Sequence, residues 1–291
     1  MKKNMNKNYF EVLRPGINST FQDNGRNNFY HIGIPFSGAM DNRNFLLANT
    51  ISNNGINNPV LEFAYQGPKL KYIGENISIN VTGDVNFKII RKNKNLEFSC
   101  YENIILENND CLDILSTNRS VYGYLSIGGT FEVDYYLNSC STNTKAKIGA
   151  NSGEKLEKGQ IIHLKNIKKI LPKNKIEYLN SKIENIRIIK GPHFDYFSKD
   201  AIDSFLSDEF NVTKLSDRMG IRLKGPKISN IKNTNIKSEG LVKGVIQITA
   251  DGDPIIMLSD HGTIGGYPKI GVVISADYDK LVQIPPGSKI K

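Results

Sequence analysis

No stretch of this 291-residue chain approaches the roughly 20 consecutive apolar residues that a membrane-spanning helix needs. The basic N-terminus, MKKNMNKNYFEVLRPG, lacks the apolar run of a signal peptide, so secretion is not expected and a cytoplasmic location is. Cysteine is scarce. Cys100, Cys111 and Cys140 are odd in number and form no CxxC, which reads as free thiols in a reducing compartment, not as a disulfide frame or metal cluster. His31, His163, His193 and His261 form neither HxH nor HExxH, so no metal site is expected. The GxGxxG dinucleotide turn, the GxxxxGK[ST] phosphate loop and the GxSxG elbow are also missing. The net charge of +9 comes without a zinc finger, a recognition-helix pattern or an RNA-binding aromatic pair. Its lysine- and asparagine-rich patches, at residues 91–95 and 165–175, therefore read as solvated surface, and neither a nucleic acid nor a membrane is expected as a partner.

What is present is a globular composition, 39% hydrophobic and 23% charged, in which two-residue alternation dominates. Ile77, Ile79 and Val81 alternate with polar neighbours, Gly83 and Asp84 supply a turn, and Val85, Phe87 and Ile89 resume the pattern, which predicts a β-hairpin. A second turn at 92–95 leads into Leu96 and Phe98. Further strands are expected at 104–106, 112–115, 121–127 and 160–164, then at 186–189, 211–215, 221–223, 242–248, 255–258, 272–275 and 281–284. Two helices are expected, one capped by Asp41 and running through Phe45, Leu46, Ala48 and Ile51, the other capped by Ser198. Short, regularly punctuated strands predict an all-β fold of barrel or sandwich type. The lysine- and asparagine-rich stretch 166–182, with Pro172, marks a boundary between an N-terminal domain, 1–180, and a C-terminal domain, 181–291, with a chain segment able to cross between the halves.

Three loops carry the chemistry. In FQDNGRNNFYHIGIPFSGAMD, residues 21–41, glycines permit close approach of a ligand to the backbone. Asp23 and Arg26 form an ion pair that shapes the loop or, alternatively, contact substrate, with Arg26 gripping a carboxylate. Ser37 and Gly38 resemble an anion-binding helix entrance. His31 is a candidate base because its ordinary pKa lies near working pH. Glu62, inside the apolar VLEFA, is either an arginine partner or a site carboxylate. In SDRMGIRLKGP, residues 216–226, Arg218 and Arg222 flank a tight turn and converge on an acidic substrate or stay solvated. DHGTIGGYPK, residues 260–269, is the strongest of the three. Gly265 and Gly266 expose backbone N–H groups suited to a carboxylate, carbonyl or phosphate, and Thr263, Tyr267 and Lys269 add hydroxyls and a cation. The catalytic candidates are thus His31, Glu62, Arg222 and Tyr267. The substrate-binding candidates are Asp23, Arg26, Ser37, Gly38, Arg218, Thr263, Gly265, Gly266 and Lys269.

The ordered series Gln22-Asp23-x-Gly25-Arg26, Gly33-x-Pro35-x-Ser37-Gly38-Ala39-Met40-Asp41, Leu61-Glu62, the SDRMGxRLxGP block and Gly265-Gly266-Tyr267-Pro268 resembles the carboxyltransferase-like family. That family includes the C component of ATP-dependent 5-oxoprolinase, the second part of allophanate hydrolase-like proteins, the carboxyltransferase region of urea amidolyase and a sporulation-kinase antagonist. The resemblance spans residues 11–287. It implies two tandem cyclophilin-like β-barrels and work beside partners similar to the B and A components of 5-oxoprolinase. The implied reaction is opening of 5-oxoproline to glutamate with ATP used in the assembled complex. Biotin-dependent carboxyl transfer, and a non-catalytic regulator that binds a kinase-inhibitor protein similar to the B component, are the alternatives. The chain has neither a biotin-acceptor lysine motif nor an ATP-grasp carboxylase region, so on this reading biotin is doubtful. His261-Gly262 and Thr249-Ala250 depart from the family's pattern, which weakens transfer of substrate identity.

Overall fold

A computed structural model of the chain describes residues 8–170, 172–177, 185–232 and 234–291. The basic first seven residues, and Leu171 and residues 178–182 of the expected boundary stretch, lie outside these. The chain divides into two compact units. One comprises Met1–Gly25 with Asn42–Leu179, the other Arg26–Asp41 with Asn180–Lys291.

The first unit holds two sheets. A seven-stranded sheet runs in the order Thr130–Phe131, Ile161–Lys165, Tyr9–Arg14, Lys69–Ile73, Cys111–Thr117, Val85–Arg91, Lys94–Glu97. A five-stranded sheet runs Thr20–Gln22, Val60–Ala64, Tyr122–Ile127, Ile77–Thr82, Ile104–Leu106. One apolar core lies between them: Phe10, Leu70 and Ile114 from the first sheet meet Phe63, Val81 and Leu125 from the second, all fully buried. The opposite face of the five-stranded sheet carries Ser78, Asn80 and Thr82, which alternation alone would turn to solvent. It is covered instead by helix α1, Asn42–Ile51. Asn80 Nδ2 donates to Ala48 O at 3.1 Å and to Ser52 Oγ at 2.7 Å, and Thr82 Oγ1 donates to Asn44 O at 2.9 Å. These bonds satisfy the Asn80 amide N–H groups and the Thr82 hydroxyl, while Asn80 Oδ1 is buried without a partner among the described residues.

The expected hairpin across Gly83 and Asp84 is corrected by the register. Ile77–Thr82 pairs with Tyr122–Ile127 and Ile104–Leu106, whereas Val85–Arg91 pairs with Lys94–Glu97 and Cys111–Thr117. The turn therefore carries the chain from one sheet to the other, and Gly83 fits it with φ +107° beside the Tyr122 carbonyl. The hairpin proper closes one turn later at Lys92 and Asn93, both with positive φ.

The second unit has a seven-stranded sheet in the order Ile188–Lys190, Lys269–Val273, Val245–Ile248, Pro254–Met257, Gly220–Lys224, Phe210–Val212, Lys289–Ile290, and a small pair, Glu239–Gly240 with Ile264–Gly265. Helix α2, Lys199–Ser207, begins as its sequence predicts, with Ser198 Oγ accepting from Ala201 N at 3.2 Å. Helix α3, Ser275–Leu281, has no counterpart among the expected helices, and the strand expected at 281–284 is corrected: Leu281 ends this helix and turns follow. The helix signal is short. Asp277 lies in its first turn and Lys280 in its last, placed as the helix dipole favours.

These sheets overturn the expected all-β fold of two closed cyclophilin-like barrels. Among the described residues there are four sheets, each with two edge strands, and helices that pack as layers, so the fold is mixed α/β. Alternation reveals that a strand buries one face. It does not reveal whether the first and last strands of a sheet meet, or whether a helix covers the other face.

Gly123 shows how tight the core is, since a Cβ there would sit 2.5 Å from Phe63 Cζ and 2.7 Å from Val85 Cγ2. Gly123→Ala should lower stability by about 2 kcal/mol through overpacking. In chemical denaturation the Gly123→Ala, Phe63→Leu double variant should lose less than the sum of the two single losses, and simple additivity would contradict the contact.

Candidate active site

The segment Arg26–Asp41, although it precedes α1 in sequence, belongs to the second unit, and a buried ion pair helps hold it there. Arg218 follows Asp217, whose Oδ1 accepts from Met219 N at 2.8 Å and Gly220 N at 3.3 Å and so shapes the tight turn. Arg218 Nε donates to Asp260 Oδ2 at 2.7 Å and Nη2 to Oδ1 at 3.1 Å, a bidentate fork. The same Nη2 donates to Gly38 O at 2.7 Å. Ser37 and Gly38 both have left-handed backbones, with φ of +58° and +85°, a conformation that suits glycine and is costly for serine. Ser37 N donates to Ser259 O at 3.0 Å, and Ser259 Oγ to Ala39 O at 3.3 Å. Gln283 Nε2 reaches Asp41 Oδ2 at 2.7 Å. The SDRMG turn and SGAMD are therefore two sides of one buried seam.

Beside that seam, His261 is almost fully buried. Its Nδ1 lies 2.6 Å from Gly262 O. A carbonyl only accepts, so Nδ1 carries the proton and Nε2 is the free acceptor. Tyr30, in the short 3-10 turn Tyr30–Ile32, places its hydroxyl against the ring, 2.9 Å from Nε2 and 3.2 Å from Nδ1, with the two rings edge to face. Burial pulls the His261 pKa below its ordinary 6.5, outweighing the hydrogen bond to Gly262 and the Asp260 carboxylate, which pull it up. The ring is thus neutral at pH 7. Burial also raises the Tyr30 pKa, so its hydroxyl keeps its proton at pH 7.

The far end of the glycine loop rests on a second cluster. The Lys269 ammonium is buried and donates to Glu239 Oε2 at 2.6 Å, which holds the Glu239 carboxyl below its usual range. His193 Nδ1 accepts from Lys269 N at 3.2 Å, so its Nε2 bears the proton, and that atom lies 3.7 Å from Glu239 Oε2. Gly265 belongs to the small strand pair with Glu239–Gly240. A Cβ there would come within 2.7 Å of Gln247 Nε2, so a larger residue would displace the Gln247 amide.

Of the residues singled out in the sequence, Arg218, Ser37, Gly38, Thr263, Gly265, Gly266 and Lys269 all fall in the second unit along this loop and seam. Gly266 O accepts from Ile236 N, and Thr263 O from Leu241 N. Tyr267 is half-buried, and its carbonyl accepts from Gln247 Nε2 at 3.1 Å. Arg26 is buried, with its N–H donating to Phe36 O at 2.7 Å. His31 is exposed on the same 3-10 turn as Tyr30, and Arg222 lies on the exposed side of its strand. Asp23 and Glu62 belong to the first unit. Asp23 is fully buried and accepts from Ser139 Oγ, Ser141 Oγ, Cys140 N and Gly25 N at 2.6–2.8 Å. Glu62, also buried, stands in register with Thr20 and Tyr124.

Tyr30, His193, Glu239 and the ring of His261 were not among the sequence-derived site residues. For His261 the signal was present in its loop. For Tyr30 it was not, because its partner lies 231 positions away.

Comparison with known proteins accords with this architecture. A family profile described as "Carboxyltransferase domain, subdomain A and B" matches residues 32–291. The chain is similar to the C component of 5-oxoprolinase from Escherichia coli, 28% identical over 96% of this chain and 89% of that protein. It is also similar to urea amidolyase of Lachancea kluyveri, 30% identical over 97% of this chain. Its fold matches the crystal structure of the K. lactis urea amidolyase with a TM-score of 0.88, 30% identity and coverage of all of this chain. The chain spans only 17% and 19% of those two amidolyases. No helix of the described residues is long and apolar enough to cross a membrane.

The doubt about biotin is overturned, because the matched family implies dependence on it. The loop's donor set fits a neutral ureido ring. The Arg218 and Lys269 cations are met by Asp260 and Glu239, and a Cβ at exposed Gly262 would have only Ile264 O, at 3.5 Å, within reach, so the backbone is open to close approach.

The lowered His261 pKa has a sign for stability. The unfolded ring binds its proton near pH 6.5 and the folded ring only at lower pH, so acid favours the unfolded chain. Its contribution is complete above pH 6.5 and shrinks as pH falls towards the folded-state value. Thermal unfolding between pH 7.5 and 5 should show a smaller acid loss of Tm in His261→Gln than in the native chain, and equal losses would contradict the assignment.

Proposed function

Because this chain belongs to the carboxyltransferase domain family, subdomain A and B, we propose that it supplies the carboxyl-transfer site of a biotin-dependent enzyme assembled from several polypeptides. The acceptor is a nitrogen of a small urea- or amide-type molecule. The similarity to urea amidolyases over 97% of this chain supports that class of acceptor. The observation that carries the reading is the neutral, buried His261 joined to Tyr30 beside an open glycine loop. When bound, biotin supplies the carboxyl group to be moved. Gly262 and Thr263, with their backbone N–H groups and one hydroxyl, are the residues that would hold its ureido ring.

Moving a carboxyl group between two nitrogens would break one C–N bond and form another, so the proton lost by the acceptor nitrogen is the one the donor nitrogen needs, and the protein has only to hold it in transit. Tyr30 Oη accepts the acceptor's N–H and passes its own hydrogen to His261 Nε2, leaving an imidazolium whose Nδ1–H stays on Gly262 O. Arg218 and Asp260 touch neither reacting atom. They hold the loop and the Tyr30 segment in register, and Lys269 with Glu239 does the same for its far end.

A second reading is ring opening of 5-oxoproline, favoured by the length match of 89% with the C component of 5-oxoprolinase. The two separate in one assay pair on the chain assembled with its co-encoded partner polypeptides under a common nucleotide supply. Avidin-sensitive fixation of labelled bicarbonate onto urea is expected, whereas glutamate release from 5-oxoproline that avidin leaves untouched would replace the first reading with the second.

Tyr30→Phe should lower turnover about a hundredfold, the lower end for loss of an acid–base group, with folding unchanged by circular dichroism. In the native enzyme kcat/KM should fall on the acid side of pH 6.5, since burial places the His261 pKa below that value. An unchanged rate in Tyr30→Phe, or an acid limb centred above pH 6.5, would remove the pair from the chemistry.

A further inference from the structure

In the second unit, Ile231 and Ile236 are each fixed by a backbone bond. Ile231 N donates to Tyr196 O at 2.8 Å, and Ile236 N donates to Gly266 O at 2.8 Å. A cavity of about 460 Å3 lies beside them, lined by Tyr196, Lys232, Asn235, Ile236 and Lys237. Its polar lining is two ammonium groups and one carboxamide, with no carboxylate, and Tyr196 and Ile236 provide apolar walls. None of these side chains has a part in the proton transfer assigned to Tyr30 and His261.

The two lysines differ in what holds them. Lys232 Nζ sits 4.3 Å from the centroid of the Tyr196 ring, which fixes the cation against the aromatic face. It also donates to Asp195 Oδ2 at 3.0 Å. Lys237 has no ion-pair or hydrogen-bond partner among the described residues. Asp195 is 73% exposed, and solvent weakens an exposed pair of this kind. A carboxylate from solution can therefore displace it.

We propose that this cavity binds a small organic monocarboxylate, with Lys232 and Lys237 on its carboxylate and Tyr196 and Ile236 against its apolar body. Asp195 is the internal stand-in, a carboxylate already seated on one of the two cations. The lining favours an organic acid over inorganic phosphate because Tyr196 and Ile236 offer apolar contact that phosphate has no carbon body to use. The volume admits a ligand of a few carbon atoms. The inference does not rest on the carboxyl-transfer reading, and its test reads binding, not turnover.

The full chain, labelled with 13C at the lysine ε carbons, is titrated with butyrate at pH 7 and followed by NMR. Saturable shifts confined to Lys232 and Lys237 are expected. Lys237→Gln should weaken butyrate about fivefold, the scale of one exposed charge pair. Asp195→Asn should tighten it about threefold by removing the competing carboxylate. Shifts that do not saturate, or an affinity unchanged in both variants, would overturn the site. Inorganic phosphate binding at the same lysines as tightly as butyrate would overturn its assignment to a carboxylate.

Discussion

The second unit depends on the buried pair Arg218–Asp260. Burying two charges costs several kcal/mol unless each is fully hydrogen-bonded. Here the fork is bidentate, and Arg218 has Gly38 O as a further acceptor. That third bond makes the pair more than a local brace, because it ties a turn at 218 and a loop at 260 to a segment laid down before residue 41. With the segment held, Tyr30 reaches His261. If either charge is removed, the partner is left buried and unmatched, and the backbone supporting both catalytic candidates loses its anchor.

In the chemistry that follows, the immediate neighbours decide each role. His261 is kept neutral by burial and given a defined tautomer by the Gly262 carbonyl, so one ring nitrogen is always ready to accept. His193, in the same unit, is fixed in the opposite tautomer by the Lys269 amide and directs its N–H towards Glu239. Two histidines of this unit thus take opposite tautomers. His261 has its Nε2 bare, and His193 braces the strand that carries Lys269.

Much of this was legible from residue order. The glycine loop at 260–269, the SDRMG turn and the SGAMD segment stand out in the sequence as candidate site segments, and Ser198 as a helix cap. Strand positions followed from alternation. The partners of those strands did not, because Gly83–Asp84 reads identically whether it closes a hairpin or passes the chain between sheets. The closed barrels came from the family resemblance, while the all-β expectation has a related cause: Ser78, Asn80 and Thr82 look like a solvent face until Ala48 and Ser52 of α1 and its C-terminal turn are found against it. Asp23 illustrates a further limit. Its carboxylate lies in a motif that suggests ligand contact, yet its four described bonds go to Gly25 and the 139–141 segment of its own unit. Spacing along the chain cannot reveal a bond between residues more than a hundred positions apart.

The state of His261 is the most direct test of this account. Nitrogen-15 NMR of the imidazole ring at pH 7 should show a protonated Nδ1 and an unprotonated Nε2, with titration completed only below pH 6.5. A ring already doubly protonated at pH 7, or one carrying its single proton on Nε2, would contradict it.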